Sequence, residues 1–153
     1  MNTLSDPAKL PTHHASPEAA ELALDQIIDR FFIFDQLWSD LTEKPVGPAL
    51  IFRIPGQTEA RSFLLDADEI TIGRLPKLLD PERGCDLAFP DAPELSRRHC
   101  VITHIDDEFI LEDRSSTSGT FVNTSSNRLT QPRRLVSGDI IYMGGIILIP
   151  TGI

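Results

Sequence analysis

The chain has 153 residues, of which 41% are hydrophobic and 24% are charged. This composition is typical of one soluble globular domain with a short appendage, and it disfavours a multi-domain enzyme. The formal net charge of −9 disfavours nucleic-acid binding, because proteins that coat phosphate backbones are basic.

The sequence also predicts no membrane span, metal or cofactor. It has no run of about 18 uncharged apolar residues, and residues 1–16 lack the features of a secretory signal. Cys85 and Cys100 form no Cys-x-x-Cys pair, so neither a disulfide framework nor a zinc site is recognisable. The adjacent His13 and His14 are more typical of solvated histidines than of metal ligands. No glycine-rich nucleotide motif is present. We expect a cytoplasmic protein in a reducing compartment.

The first predicted element is an amphipathic α-helix over residues 17–41. Ser16 and Pro17 are typical of a helix start. Apolar residues then recur at intervals of three and four residues, which is the helical period. The apolar stripe consists of Ala20, Leu24, Ile27, Phe31, Phe34, Trp38 and Leu41, and it is widened by Ile28, Phe32 and Leu37.

This stripe allows two interpretations. It can dock on the rest of the chain, or it can bind a partner protein or a second copy through helix 17–41. The aromatic residues Phe31, Phe34 and Trp38 slightly favour a partner, because such residues anchor association surfaces. Pro45 ends the helix, which predicts a tail and helix over residues 1–46 and a second unit over residues 47–153.

From Ala49 onward, short apolar runs separated by turn residues predict an all-β sandwich. Ile70 and Ile72 alternate with Glu69 and Thr71, as side chains of half-buried strands do. The candidate strands are residues 49–54, 61–65, 69–73, 86–89, 99–105, 108–113, 120–123, 133–136, 139–143 and 146–149.

Three loops between these strands carry the residues that suggest a function. The first offers Arg74, the second is residues 96–99, and the third is residues 113–120. Together they supply guanidinium groups, hydroxyl groups and a glycine that frees backbone N–H groups. These groups suit a phosphate monoester, whose oxygens accept charge-assisted hydrogen bonds.

The same segments resemble the forkhead-associated (FHA) domain family. The resemblance covers residues 49–149 and rests on the order of four short segments. These are residues 71–74 (TIGR), 95–100 (LSRRHC), 113–123 (DRSSTSGTFVN) and 135–141 (LVSGDII).

The resemblance implies a mainly β fold, an eleven-strand FHA-type sandwich, preceded here by one amphipathic helix. It implies a module that binds phosphothreonine in partner proteins and has no catalytic activity. Ser96 and His99 could be imagined as a nucleophile and its base, but no orienting carboxylate motif or oxyanion loop accompanies them. We therefore expect an adaptor in serine/threonine kinase signalling or regulated assembly, and no enzyme.

By position, the resemblance also implies roles for individual residues. Arg74 and Ser96 would contact the phosphate, Arg97 would reinforce them, and Thr117 would add a further contact. Gly73, His99 and Gly119 would support the site structurally.

Two departures from the family pattern keep an alternative open. Ser118 occupies a position that is usually asparagine, which in the family bonds the peptide main chain, and it has a single hydroxyl group for this purpose. Residues 75–84 make a longer loop than usual, which would add contacts or cover the site. The alternative is a degenerate FHA scaffold that binds partners independently of phosphate through its N-terminal helix. A third hypothesis is self-recognition of phosphorylated Thr3, Thr12 or Thr42.

Overall fold

A computed structural model describes residues 30–153, which contain one helical segment and ten strands. The helical segment, α1, covers residues 30–40; the predicted helix residues 17–29 lie outside the described part. The strands are β1 (Ala49–Arg53), β2 (Ala60–Leu64), β3 (Glu69–Gly73), β4 (Leu87–Ala88), β5 (Cys100–Ile105), β6 (Glu108–Asp113), β7 (Thr120–Val122), β8 (Arg133–Arg134), β9 (Ile141–Met143) and β10 (Ile146–Thr151).

The strands form two five-stranded sheets. The first sheet has the order β2-β1-β10-β9-β7, and the second has the order β4-β3-β5-β6-β8. All pairings are antiparallel except that of β3 with β4. The predicted mainly β sandwich is thereby confirmed.

The expected count of eleven strands is wrong, since residues 30–153 contain ten. Residues 123–132 connect β7 to β8, and within them Arg128 forms one isolated bridge with Phe121 of β7. The N–H group of Leu129 also donates to the Thr120 carbonyl over 2.8 Å. A single bridge does not extend into a ladder, so this segment is not a strand.

The main core lies between the two sheets and is built from alternate residues of the central strands. Leu50 and Leu148 from the first sheet and Ile72, Ile102 and Leu111 from the second are almost completely buried there. Each such side chain contributes about 1.5–3 kcal/mol when it is removed from water. This core fixes the strand ends from which the loops of the candidate site start.

The outer face of the first sheet is also covered, and α1 covers it. Leu37 and Leu41 are buried against Ile51 and Ile149, and Ile33, Phe34 and Trp38 pack beside them. This part of the apolar stripe therefore packs on the chain's own sandwich. The packing does not support a partner surface made by Phe34 and Trp38, whereas Phe31 is 66% exposed and Phe32 is 62% exposed.

In residues 30–153, no helix has the length and apolar character that crossing a membrane requires. In the same part of the chain, no group of three or more His, Cys, Asp or Glu side chains is placed to hold a metal ion. Cys85 and Cys100 are free thiols buried in the sandwich. Burial raises the pKa of both thiols.

Candidate functional site

An open cleft of about 490 Å³ lies where three loops meet at one end of the sandwich. One loop follows β3, the second joins β4 to β5, and the third joins β6 to β7. The structure brings together all five residues that the sequence predicted to bind a phosphopeptide: Arg74, Ser96, Arg97, Thr117 and Ser118. Pro93, Glu94 and Leu95 complete the lining.

Arg74 is held in the cleft by its neighbours across the loop. Its backbone N–H donates to the Ser96 carbonyl over 3.0 Å, and its Nε donates to the Leu95 carbonyl over 3.0 Å. Among residues 30–153, its two terminal guanidinium nitrogens have no hydrogen bond or ion pair. Within this described part of the chain, the side chain is therefore anchored through Nε and presents a free two-nitrogen edge.

Ser96 and Thr117 connect the second loop to the third. The backbone N–H of Thr117 donates to Ser96 Oγ over 2.9 Å. Because this oxygen accepts that bond, the Ser96 hydroxyl hydrogen stays available as a donor. Thr117 is exposed, and like Ser96 it lines the cleft.

His99 is completely buried beneath the cleft and bonds to both of these loops. Its Nδ1 accepts the Ser96 backbone N–H over 3.1 Å, and its Nε2 donates to the Gly119 carbonyl over 2.8 Å. An N–H group can only donate and a carbonyl can only accept, so the geometry selects the neutral ring with its proton on Nε2. Burial lowers the pKa of His99, which favours the same neutral form.

Two glycines allow the loops to approach each other. A Cβ atom at Gly73 would lie 2.3 Å from the backbone oxygen of Arg97, so any side chain there would push the first two loops apart. Gly119 has a φ of +91°, a conformation that residues with side chains rarely adopt. Both glycines therefore shape the cleft without facing a ligand.

A polar network below the third loop was not predicted from the sequence. The Asp113 carboxylate accepts the Ser116 backbone N–H over 3.1 Å, the Ser116 hydroxyl, and the Thr120 hydroxyl over 2.6 Å. Arg128 donates to the Ser116 carbonyl and lies 3.9 Å from Asp113. Burial opposes ionisation of Asp113, but the bonds from Ser116 and Thr120 outweigh it and lower the pKa of Asp113.

A local signal for part of this network exists in the sequence. Asp113 and Ser116 have the spacing at which an aspartate side chain closes a turn on the backbone that follows it. The contribution of Arg128 has no local signal, since it comes from the irregular segment between β7 and β8.

Ser118 is exposed, and its hydroxyl donates to the Glu94 carbonyl over 2.8 Å. It therefore links the third loop to the second. The long loop over residues 75–84 does not line the cleft; its Leu78 is 93% exposed. The loop therefore leaves the cleft open, contrary to the expectation that it adds contacts there or covers the site.

The comparisons with known proteins bear on this arrangement. The sequence model of the FHA domain family matches residues 70–144, a span that contains all three loops of the cleft. The chain contains an FHA domain. The FHA domain is a binding module that recognises phosphothreonine peptides of partner proteins.

Curated relatives are similar to this chain over a short part of their own length. The mouse protein "E3 ubiquitin-protein ligase CHFR" is 39% identical over 103 residues, which make up 66% of this chain and 14% of that protein. The chain thus spans about one seventh of the length of this curated relative. The ligase activity in the name belongs to the whole mouse protein.

Two solved structures of FHA domains resemble the fold. One comes from work on phosphothreonine-dependent FHA domain interactions, is 27% identical and has a TM-score of 0.51, and the match covers 67% of this chain and 94% of that one. The other is the FhaA FHA domain complexed with the intracellular domain of Rv3910. It is 27% identical with a TM-score of 0.53, and the match covers 69% of this chain and all of that one.

Proposed function

We propose that this chain is an adaptor that binds phosphothreonine-containing segments of partner proteins through the cleft. A serine/threonine kinase would make the ligand, and binding without turnover would be the activity. The observation that carries the proposal is that Arg74, Ser96 and Thr117 line one cleft, while the guanidinium edge of Arg74 has no partner among residues 30–153. Similarity to mouse CHFR and to an FHA domain with phosphothreonine-dependent interactions supports it.

The chemistry of recognition follows from these groups. A phosphothreonine has three acceptor oxygens and about −1.5 to −2 charges at neutral pH. The free edge of Arg74 suits two parallel N–H···O bonds to two of these oxygens. The Ser96 and Thr117 hydroxyls would donate to the third oxygen, and the exposed side chain of Arg97 would add charge at the rim.

Ser118 supports a reduced contact with the peptide main chain. Its hydroxyl hydrogen is used on the Glu94 carbonyl, so its oxygen remains as an acceptor for one peptide N–H. An asparagine has two donors and an acceptor there. We infer that peptide main-chain binding through this position is weaker than is usual in the family, and that affinity depends more on the phosphate.

The test is a calorimetric titration with a phosphothreonine peptide selected from a library and with its unphosphorylated twin. The parent should bind the phosphorylated peptide alone. Replacing Arg74 by alanine should weaken that binding by about 2–5 kcal/mol, the range found when one partner of a desolvated charge pair is removed.

The matched control is Arg61→Ala, which removes an exposed arginine from β2 on the other sheet. It should leave the affinity for the phosphopeptide unchanged. Equal affinities of the Arg74→Ala variant and the parent would contradict the proposed function. Binding of both peptide forms with equal strength would favour the phosphate-independent scaffold instead.

For the location, we propose the cytoplasm. The two thiols are free, as is usual in a reducing compartment. We also propose that residues 47–153 carry recognition, because all lining residues of the cleft lie there, and that residues 1–46 are a tail and helix, of which α1 packs on the sandwich.

A further inference from the structure

Glu94 lines the same cleft as Arg74 and Arg97, although its charge is opposite to theirs. Its side chain is exposed, and it takes part in none of the ion pairs formed within residues 30–153. A carboxylate near a bound phosphate repels it and weakens binding. The position is therefore unfavourable for a phosphate alone and favourable for a ligand that also carries a positive charge.

The backbone that carries Glu94 is fixed from three sides. The Glu94 carbonyl accepts the Ser118 hydroxyl, and the next carbonyl, that of Leu95, accepts Arg74 Nε. Gly144, from the turn between β9 and β10, lies so close that a Cβ atom there would be 3.0 Å from the Glu94 carbonyl. The carboxylate therefore extends from an ordered segment, so placing it against a ligand costs little further backbone entropy.

Glu94 lies close along the chain to a residue that is proposed to bind the phosphate, Ser96. Glu94 and Ser96 are separated by one residue, so their Cα atoms lie at most about 7 Å apart. An extended peptide advances about 3.3 Å per residue. With the phosphate at Arg74 and Ser96, a ligand side chain one to three residues away reaches Glu94.

We propose that Glu94 selects phosphothreonine segments that carry lysine or arginine within three residues of the phosphothreonine. This inference rests on the proposed function and adds the ligand class that the cleft prefers. The phosphate is bound by Arg74 and Ser96, and the basic side chain is bound by Glu94 from the lining of the same cleft.

The test uses phosphothreonine peptides in which lysine or glutamate is placed in turn at each of the three positions on either side, with alanine elsewhere. Calorimetry should show that the parent binds the lysine peptide about two- to fivefold more tightly than the glutamate peptide at one position or more, as an exposed ion pair provides. Glu94→Gln should remove this preference, and Glu94→Lys should reverse it.

The control variant is Glu59→Gln, which removes the same charge from the exposed connection between β1 and β2. It should retain the preference, which would exclude an effect of net charge alone. Equal unfolding temperatures of the parent and the three variants would show that the fold is intact.

Two results would overturn the inference in different ways. Phosphate-dependent binding without a lysine preference, or with a preference that survives Glu94→Gln, would overturn the role of Glu94 and leave the proposed function standing. If no peptide of the set binds in a phosphate-dependent manner, the proposed function fails and the ligand class fails with it.

Discussion

At the scale of single residues, His99 is the buried side chain that joins the second and third loops of the cleft. Its two ring nitrogens bond one group on the second loop and one on the third. The bond from Ser96 exists only while the ring is neutral, because a second ring proton, on Nδ1, would face the Ser96 N–H group. The shape of the cleft is therefore linked to the protonation state of one buried group.

We predict that the free energy of unfolding decreases as the pH falls below 6.5. The pKa of His99 is lowered from 6.5 by burial, so the unfolded chain takes up this proton at a higher pH than the folded one. The stability from neutral His99 is complete above pH 6.5 and is lost as the pH falls from there towards the lower folded value. Urea unfolding of the free protein at pH 7.5, 6.5 and 5.5 measures this effect.

A histidine outside the cleft provides the comparison. His104 stacks on Phe109 in the second sheet and is partly exposed. The His104→Gln variant should keep the pH dependence between 6.5 and 5.5, whereas His99→Gln should lose most of it and be less stable at pH 7.5. The same dependence in the parent and in His99→Gln would show that other groups cause it.

Sequence reasoning found the residues that face the cleft and missed most of those that support it. Arg74 and Ser96 lie in short segments whose order is specific to a family, so their meeting was predictable. Arg128 was not predictable in this way, since it reaches Ser116 from an irregular segment twelve residues further along the chain. Contacts of this kind depend on how loops cross, which no local pattern encodes.

At the scale of secondary-structure elements, α1 forms a third layer that packs on the outer face of the first sheet. The helical stripe predicted the apolar face but not the surface that it covers, because a stripe carries no information about its partner. The sequence feature that indicates the covered surface lies instead in β1, where residues 49–52 are all apolar and do not alternate with polar residues. Such a run is typical of a strand buried on both faces, and all four residues are buried.

We predict that Leu37→Ala destabilises the domain by about 2–3 kcal/mol, within the range for a buried leucine. Leu37 is 6% exposed and packs with Ile51 and Ile149. Phe31→Ala, on the exposed side of the same helix, should change stability by less than about 0.5 kcal/mol. Urea unfolding compares the two variants with the parent.

The Leu37→Ala and Phe31→Ala variants also test whether α1 contributes to phosphopeptide binding. None of the cleft-lining residues belongs to α1, so both variants should bind the phosphopeptide like the parent when they are folded. A loss of affinity in folded Leu37→Ala would show that helix docking shapes the cleft. Equal stabilities of the two variants would contradict the packing described here.

At the scale of the whole molecule, the cleft joins the two sheets. The third loop begins at the end of β6 in the second sheet and leads into β7 in the first. A ligand that contacts Arg74 and Thr117 together therefore holds both sheets. The chain as a whole is acidic, with a net charge of −9. The attraction of a phosphopeptide to Arg74 and Arg97 is therefore a local effect of these side chains and not of the overall electrostatic field.

We predict that the phosphopeptide raises the stability of the whole domain. At a free concentration 100 times the Kd, ligand binding adds about 2.7 kcal/mol to the free energy of unfolding. Thermal unfolding should show one transition that moves to higher temperature with the phosphopeptide and stays in place with its unphosphorylated twin. Two transitions, of which one moves, would show that the sheets unfold separately.

The burial of both native thiols has a practical consequence for labelling chemistry. Cys85 is 2% exposed and Cys100 is 1% exposed, and thiolate is the form that reacts with maleimides. Because these two thiols are buried and their pKa values are raised, they should not react with maleimides in the folded domain. A cysteine introduced at an exposed site, such as position 59, would then be a unique attachment point for a fluorophore in the described part of the chain.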